Sequence, residues 1–136
     1  MAVMDARYES LGQLLYNEVG EGALRILLYN EFIDDGVISP GLFYELENGE
    51  LHYAYCTHEI DTELFHLKEV FDCDVKALEL HLELHGGDAA LQVSVTYADK
   101  FDDDSDTGAR TDRVLQKHFG HTSAHYPPFE GTPFEG

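Results

Sequence analysis

The stretch that decides the fold is residues 77–97, ALELHLELHGGDAALQVSVTY. Every second residue on either side of Gly86-Gly87-Asp88 is apolar, which is typical of two half-buried strands joined by a tight turn. With Gly87-Asp88 as a two-residue loop, Leu84 faces Leu91. The same register pairs Leu82 with Val93, Leu80 with Val95 and Leu78 with Tyr97. The other side of this predicted hairpin carries Glu79, His81, Glu83, His85, Gln92, Ser94 and Thr96.

The remaining elements are predicted from periodicity and from turn signals. A helix over residues 3–19 has its apolar stripe at Met4, Tyr8, Leu11, Leu15 and Val19. Three antiparallel strands follow, at Leu24–Phe32, Gly41–Glu47 and Glu50–Cys56. A second helix begins at Asp61 and a third covers Ala109–Phe119, ending at Gly120. The element order is α-β-β-β-α-β-β-α. We therefore expect an α+β fold with a single five-stranded, mostly antiparallel sheet and its helices on one face.

Three local details refine this prediction. The first strand is apolar at almost every position, so we expect it to be covered on both faces or nearly so. Asn48-Gly49 is a strong signal for a two-residue hairpin turn because both residues tolerate positive φ. Leu51, Tyr53 and Tyr55 then continue the apolar side that Leu42, Tyr44 and Leu46 begin. Asp61 is predicted to be the N-cap of the second helix, with Ile60 packing on Phe65 as a hydrophobic staple.

The domain organisation is simple. Residues 1–120 are predicted to form one domain, and residues 121–136 form a tail with two copies of Pro-Phe-Glu-Gly. This tail shows neither helix nor strand periodicity. It is either a mobile terminus, which we favour, or a strap laid over the domain by Tyr126, Phe129 and Phe134.

The charge is the most unusual feature of the composition. Asp and Glu number 27 against 8 Lys and Arg, which gives a formal net charge of −19. Such a surface repels nucleic acid and anionic membranes, and it attracts a basic protein. Solubility alone is the simpler explanation of the same composition. Three of the basic residues lie together near the C-terminus, at Arg110, Arg113 and Lys117.

The sequence predicts a cytoplasmic protein. No apolar run approaches the roughly 20 residues that cross a bilayer, and the first residues lack the apolar segment of a signal peptide. Cys56 and Cys73 are far apart and outside any Cys-x-x-Cys pattern. We therefore expect two ordinary thiols rather than a disulfide.

Few residues are candidates for chemistry. His81 and His85 are spaced as a His-x-His metal pair, although the polar side of an amphipathic strand explains them equally well. Asp102, Asp104 and Asp106 resemble part of a calcium loop, but the glycine is misplaced and position twelve is Arg113. We therefore expect a solvated acidic loop that caps the next helix. The sequence contains no nucleophile elbow, phosphate-binding loop or dinucleotide fingerprint. We therefore expect no enzymatic activity, no catalytic residue and no cofactor.

Several segments together resemble the YezG-type antitoxin family, the immunity proteins of bacterial polymorphic, LXG-type toxin systems. They are LRILLYNEFIDDG, LFYELENGELHYAY, DTELFHLKEVF, LELHLELHGGDAALQVSVTYADKFDDD and RTDRVLQKHFG, spanning about residues 2–120. The chain departs from the family pattern at Gly22-Ala23-Leu24, where the family has aromatic residues, and in its Pro-Phe-Glu-Gly tail.

The resemblance implies a protein that binds and inhibits the basic nuclease domain of a cognate toxin. The predicted contact surface consists of Glu45, Glu47, Glu50, Glu79, Glu83, Asp99, Asp102, Asp103, Asp104 and Asp106. Tyr44, Tyr53 and Tyr97 are possible aromatic anchors, although the pattern turns them toward the core. Two alternatives stay open: a ligand- or metal-binding regulatory domain that uses the strand face from Glu79 to His85, and an acidic scaffold that binds partners through its tail.

Overall fold

The computed structural model describes residues 2–19, 22–34, 37–70, 74–85 and 88–125. Its elements are α1 (Ala2–Val19), β1 (Ala23–Asp34), β2 (Val37–Leu46), β3 (Leu51–Ala54), α2 (His58–Val70), β4 (Val75–His85), β5 (Asp88–Tyr97), a 3-10 turn (Ala98–Lys100), α3 (Thr107–Phe119) and β6 (Ala124–His125). The α+β class and the single sheet are confirmed. The sheet has six strands rather than five, in the order β5-β4-β1-β2-β3-β6. No helix in the described ranges is long and apolar enough to span a membrane.

Strand β1 is the centre of the sheet and is covered on both faces, as its sequence predicts. It pairs antiparallel with β2 on one side and with β4 on the other. Every residue from Ile26 to Phe32 is buried. The even-numbered side chains of this segment point to one layer of the core, and the odd-numbered side chains point to the opposite layer.

Helices cover both faces of the sheet, so the prediction of helices on one face was wrong. Leu11 and Leu15 of α1 and Leu64 of α2 pack with the even-numbered side chains of β1 in the larger core cluster. Leu115 and Phe119 of α3 form a second cluster on the other face, with Leu27, Phe43 and Leu51. The physical reason is the odd-numbered apolar side chains of β1, which also need to be buried.

The β4–β5 hairpin forms as predicted, but its register differs by two residues. His85 pairs with Asp88 and Leu82 pairs with Leu91, so Gly86 and Gly87 separate the paired strands. The predicted partner of Leu82 was Val93. A shift of two keeps each side chain on its predicted face, and the apolar side still joins the core.

The β2–β3 hairpin differs from its prediction by one residue, which changes the faces of β3. Leu51 pairs with Glu45, and Tyr53 pairs with Phe43. The N–H of Leu46 donates to the carbonyl oxygen of Glu50 at 2.9 Å, so the loop between these paired residues has three residues, 47–49. Gly49 in this loop has φ 87°. A left-handed glycine closing a three-residue loop replaces the two-residue turn that we expected. Leu51 and Tyr53 therefore turn toward α3.

The start of α2 and the end of the chain also differ in detail. Thr57, rather than Asp61, caps α2, because its Oγ1 accepts a hydrogen bond from the N–H of Ile60 at 3.2 Å. Ile60 lies inside α2 rather than before its N-cap, so it is not in the position that a hydrophobic staple requires. Helix α3 ends at Gly120 with φ 81°, as predicted.

The beginning of the predicted tail belongs to the sheet. Ala124 and His125 form β6 parallel to Leu51 and His52, which the tail's lack of periodicity did not predict. Residues 126–136, with both Pro-Phe-Glu-Gly copies, lie outside the described residues, and so do Gly20, Asp35-Gly36 and the second cysteine, Cys73. The side chain of Met4 is likewise outside the description.

Candidate functional site

An acidic loop, residues 99–106, connects the end of β5 to α3. Its carboxylates are Asp99, Asp102, Asp103, Asp104 and Asp106. It begins in the 3-10 turn and ends at the N-cap of α3, where the Asp106 carboxylate accepts a hydrogen bond from the N–H of Ala109 at 2.8 Å. The capping role that the sequence predicts for this loop is therefore confirmed.

A buried ion pair fixes the start of α3 to the central strand. Arg110 Nε donates to Glu31 Oε2 at 2.6 Å and its Nη2 donates to Oε1 at 2.9 Å. The hydroxyls of Tyr29 and Thr107 donate to the same carboxylate at 2.6 and 2.8 Å. The Glu31 and Arg110 side chains are only 2% and 13% exposed. This two-pronged contact is the strongest geometry that an Arg and a carboxylate can adopt.

The same arginine also holds the acidic loop in place. Its Nη1 donates to the carbonyl oxygen of Asp102 at 2.7 Å and to that of Ser105. Its guanidinium carbon lies 4.4 Å from the centre of the Phe101 ring. Arg110 therefore connects the main chain of the loop directly to β1, and this contact adds to those that the carboxylates of Asp102 and Asp106 make within the loop and with α3.

The electrostatics keep this pair ionised at neutral pH. Burial raises the pKa of the Glu31 carboxyl, but hydrogen bonds from Arg110, Tyr29 and Thr107 outweigh burial and leave that pKa below its ordinary value. The hydrogen bond to Glu31 raises the pKa of Arg110. Burial, together with the hydrogen bond to Glu31, raises the pKa of Tyr29.

Three aspartates in the loop point to solvent without a partner. Asp102 is paired with Arg113 at 2.7 Å and accepts a hydrogen bond from Ser105. Within the described part of the chain, the exposed carboxylates of Asp99, Asp103 and Asp104 make no hydrogen bond or ion pair. The loop therefore presents three uncompensated negative charges on an anchored backbone.

The basic residues of α3 are used internally. Arg110 pairs with Glu31, Arg113 with Asp102, and Lys117 with Glu79 at 2.9 Å. The small basic element that the sequence shows is therefore partly neutralised by acids of the same chain. Because these three cations bind Glu31, Asp102 and Glu79, they do not pair with the loop's outer carboxylates.

The predicted contact residues on the β2–β3 hairpin lie at the other end of α3. Glu45 binds Arg25 through both oxygens at 2.7 and 2.8 Å, and Arg25 also donates to the carbonyl of His118 near the end of α3. Glu50 contacts His52 at 3.1 Å, and Glu47 is exposed. Arg25 and Glu31 are six residues apart on one strand, about 20 Å. The structure therefore does not bring the two predicted acidic segments together.

Helix α3 also removes the β4 part of the predicted polar hairpin face from solvent, since Glu79 and His81 are buried, whereas Gln92 and Ser94 of β5 stay exposed. The Glu79 side chain is 10% exposed and binds both Lys117 and His118. Burial raises its pKa, but the hydrogen bonds from His118 and Lys117 bring it below its ordinary value. Glu83 is only partly exposed. The charge of Glu79 is therefore satisfied within the fold, and we leave this residue out of the contact surface proposed below.

Of the two histidines considered as metal ligands, His81 is the one whose side chain the structure describes. His81 is 6% exposed, and its ring centre lies 4.5 Å from that of His118. Burial and the neighbouring charge of His118 lower its pKa. The side chain of His85 is not described. Among the described residues, no group of three or more His, Cys, Asp or Glu side chains could hold a metal ion.

Of the three tyrosines considered as anchors, Tyr97 is the exposed one. Tyr44 stacks on His52 at 5.4 Å between ring centres, and Tyr53 packs edge-on against Phe43 at 5.3 Å. Tyr97 is 49% exposed, although the pattern turned it toward the core. It directly precedes the 3-10 turn, so an aromatic side chain stands beside the acidic loop.

The network of Tyr29, Glu31, Thr107 and Arg110 was not predicted. One signal was present: Glu31 is a lone acid within an apolar strand that is buried on both faces, and such a group needs a cationic partner. The partner is 79 residues away in the chain, and nothing local to either residue identifies it.

Comparison with known proteins adds no assignment. The chain matches no protein-family model and no curated protein. The resemblance to the YezG-type antitoxins therefore remains a hypothesis, and the function is proposed from the site itself.

Proposed function

We propose that this protein is an immunity protein that binds a basic nuclease toxin and blocks its active cleft through the acidic loop. The observation that carries the proposal is the loop itself: three exposed, unpaired aspartates on a backbone anchored by the buried Glu31–Arg110 pair. The proposed toxin-binding residues are Asp99, Asp103 and Asp104.

Charge complementarity supports a nuclease as the partner. A nuclease binds phosphates, so its active cleft carries Lys and Arg, and a chain of net charge −19 is complementary to it. The long-range field speeds the encounter, and this acceleration falls with ionic strength.

The anchoring of the loop supports direct inhibition. A loop that becomes ordered only on binding loses conformational entropy, which weakens the complex. Here Arg110 already contacts the Asp102 and Ser105 carbonyls in the unbound chain. The aspartates are therefore presented without a further ordering cost.

Tyr97 supplies an apolar contact beside the charges. Buried aromatic side chains carry much of the binding energy in protein interfaces, whereas rim charges mainly set the rate and the specificity. We therefore propose Tyr97 as the anchor around which the three aspartates are arranged.

Growth rescue tests the proposal. The proposal implies that a toxin gene lies beside the gene for this protein. The nuclease domain that this neighbouring gene encodes would be expressed in a bacterial host with and without this chain. We expect growth arrest without it and normal growth with it. Continued growth arrest despite soluble expression of both proteins would contradict the proposal, as would the lack of a toxin gene in the neighbourhood.

Two variants locate the site within the same assay. Asp99→Asn, Asp103→Asn and Asp104→Asn together remove three charges from the loop, and we expect loss of protection. The matched control, Glu9→Gln, Glu18→Gln and Glu69→Gln, removes three exposed charges from α1 and α2 and should protect as the wild type does. Equal protection by both variants would exclude the loop as the contact surface.

A further inference from the structure

The two edges of the sheet differ in length and protection. The edge beside β3 is closed by β6, which has only two residues, Ala124–His125. The opposite edge is β5, ten residues from Asp88 to Tyr97, whose outer N–H and C=O groups have no strand beside them in the described sheet. We propose that β5 pairs antiparallel with β5 of a second copy, which makes one continuous sheet across a homodimer.

The sequence of β5 has none of the features that protect an edge. Natural proteins guard exposed edges with Lys, Pro, bulges or very short strands. Strand β5, DAALQVSVTY, contains no Lys, Arg or Pro, and its one charge is Asp88 at its start. Its register with β4 is regular from Ala77 to His85. A long, regular and nearly neutral edge is suited to strand pairing.

A two-fold axis perpendicular to the sheet makes this edge self-complementary. Such an axis places residues of the same face opposite one another, since paired residues of antiparallel strands share a face. With Val93 on the axis, Leu91 meets Val95 of the partner on one side of the sheet. Gln92 meets the partner's Ser94 on the other. Apolar side chains then contact apolar ones, and polar ones contact polar ones.

The charge distribution favours a second copy over the basic toxin as the occupant. Two chains of net charge −19 repel one another, so a stable contact between them requires a neutral surface. Strand β5 is such a surface, and a cationic partner would gain little there. The acidic loops follow the ends of the two antiparallel strands, about 30 Å apart, and both would remain open to a toxin.

The dimer should be weak and should respond to salt in the opposite sense to the toxin complex. A single strand pair buries an area at the low end of specific interfaces, so we expect a dissociation constant in roughly the micromolar range. Salt screens the repulsion between the copies. Raising the ionic strength should therefore strengthen the dimer.

Sedimentation velocity of the full chain, from about 1 to 300 µM, spans the affinity expected for such an interface. The wild type should shift from monomer to dimer across this range. Gln92→Lys with Ser94→Lys places like charges opposite one another across the axis and should keep the chain monomeric. Gln13→Lys with Gln116→Lys adds the same two charges at exposed positions elsewhere and should dimerise at least as well as the wild type.

Amide hydrogen exchange of the wild type gives a second test that does not depend on the variants. In the wild type, the outward amides of β5 should exchange more slowly as protein concentration rises, while those of β2 should not change. A wild type that stays monomeric throughout the range would overturn the proposal. So would equal dimerisation of the two lysine variants, or a dimer that leaves exchange in β5 unchanged.

Discussion

Replacing Glu31 by Gln tests the anchor of the acidic loop. The substitution keeps the shape of the side chain and removes the charge that Arg110 faces in a site where the two side chains are 2% and 13% exposed. Breaking one partner of a buried pair costs about 3–5 kcal/mol. Arg110 keeps its contacts with the carbonyls of Asp102 and Ser105, so we expect the lower end, about 3 kcal/mol.

The assay is urea denaturation at pH 7, with Glu69→Gln as the exposed control. The control should change the free energy of unfolding by less than about 0.5 kcal/mol. If Glu31→Gln lowered the free energy of unfolding by less than about 1 kcal/mol, the account would be refuted, because a buried arginine that loses its carboxylate partner destabilises the fold by more than that.

The pH dependence gives the same prediction a second readout. The pKa of Glu31 lies below its ordinary value of 4.5 in the folded state. Its contribution is therefore fully present above pH 4.5 and is lost as the pH falls through the folded-state pKa. The stability difference between wild type and Glu31→Gln should be constant near neutral pH and should narrow in acid. A difference that stays constant down to the acid transition would contradict the pairing.

Three further predictions concern other parts of the fold. Gly49→Ala forces a left-handed backbone, φ 87°, on a residue with a Cβ and should lower the free energy of unfolding by about 1 kcal/mol in a urea titration. Leu115→Ala removes a buried side chain, 2% exposed, between α3 and the sheet and should cost about 2–5 kcal/mol in the same assay, whereas a loss under 1 kcal/mol would place α3 outside the core. Burial raises the pKa of Cys56 to about 12, so a thiol reagent at pH 8 should label it only after denaturant is added, and rapid labelling of Cys56 in the native chain would contradict that.

The sequence predicted the elements better than their registers. Alternation over residues 77–97 determines that two strands share an apolar face, and a shift of two residues leaves that pattern intact. The pattern alone therefore cannot distinguish Gly86-Gly87 from Gly87-Asp88 as the loop. In the β2–β3 hairpin the shift is one residue, and its cause is the left-handed conformation of Gly49. The Asn-Gly pair allows that conformation in a two-residue turn as well, so the pair does not determine the length of the loop.

The need for a helix on each face of the sheet was predictable from the sequence. A β1 strand buried on both faces requires covering elements on both faces, although the pattern does not indicate which helix covers which face. The polar alternation of β4 suggested a wet face instead. Helix α3 covers part of that face, and its Lys117 and His118 bind Glu79. Residues so far apart in the chain leave no sign of their pairing in the sequence around either of them.

The sequence likewise predicts one part of the candidate site, and the fold determines the rest. The acidic loop is visible in the sequence because five of residues 99–106 are aspartates, and its capping of the next helix was predicted without the capping residue. Which aspartates stay unpaired depends on Arg110 and Arg113, whose partners the fold selects. The distance between the loop and the β2–β3 hairpin also depends on the fold, because residues far apart in sequence can lie at either end of one helix.

The central claim is that three unpaired loop aspartates hold a basic nuclease. Its most direct test is the affinity of the purified chain for the neighbouring toxin's nuclease domain, measured by calorimetry at about 50 and 200 mM salt, where screening changes most. We predict that wild type and the α1–α2 control variant weaken alike as salt rises, and that Asp99→Asn, Asp103→Asn and Asp104→Asn together bind less tightly with a flatter salt dependence. An affinity and a salt dependence unchanged by the loop variant would contradict the claim.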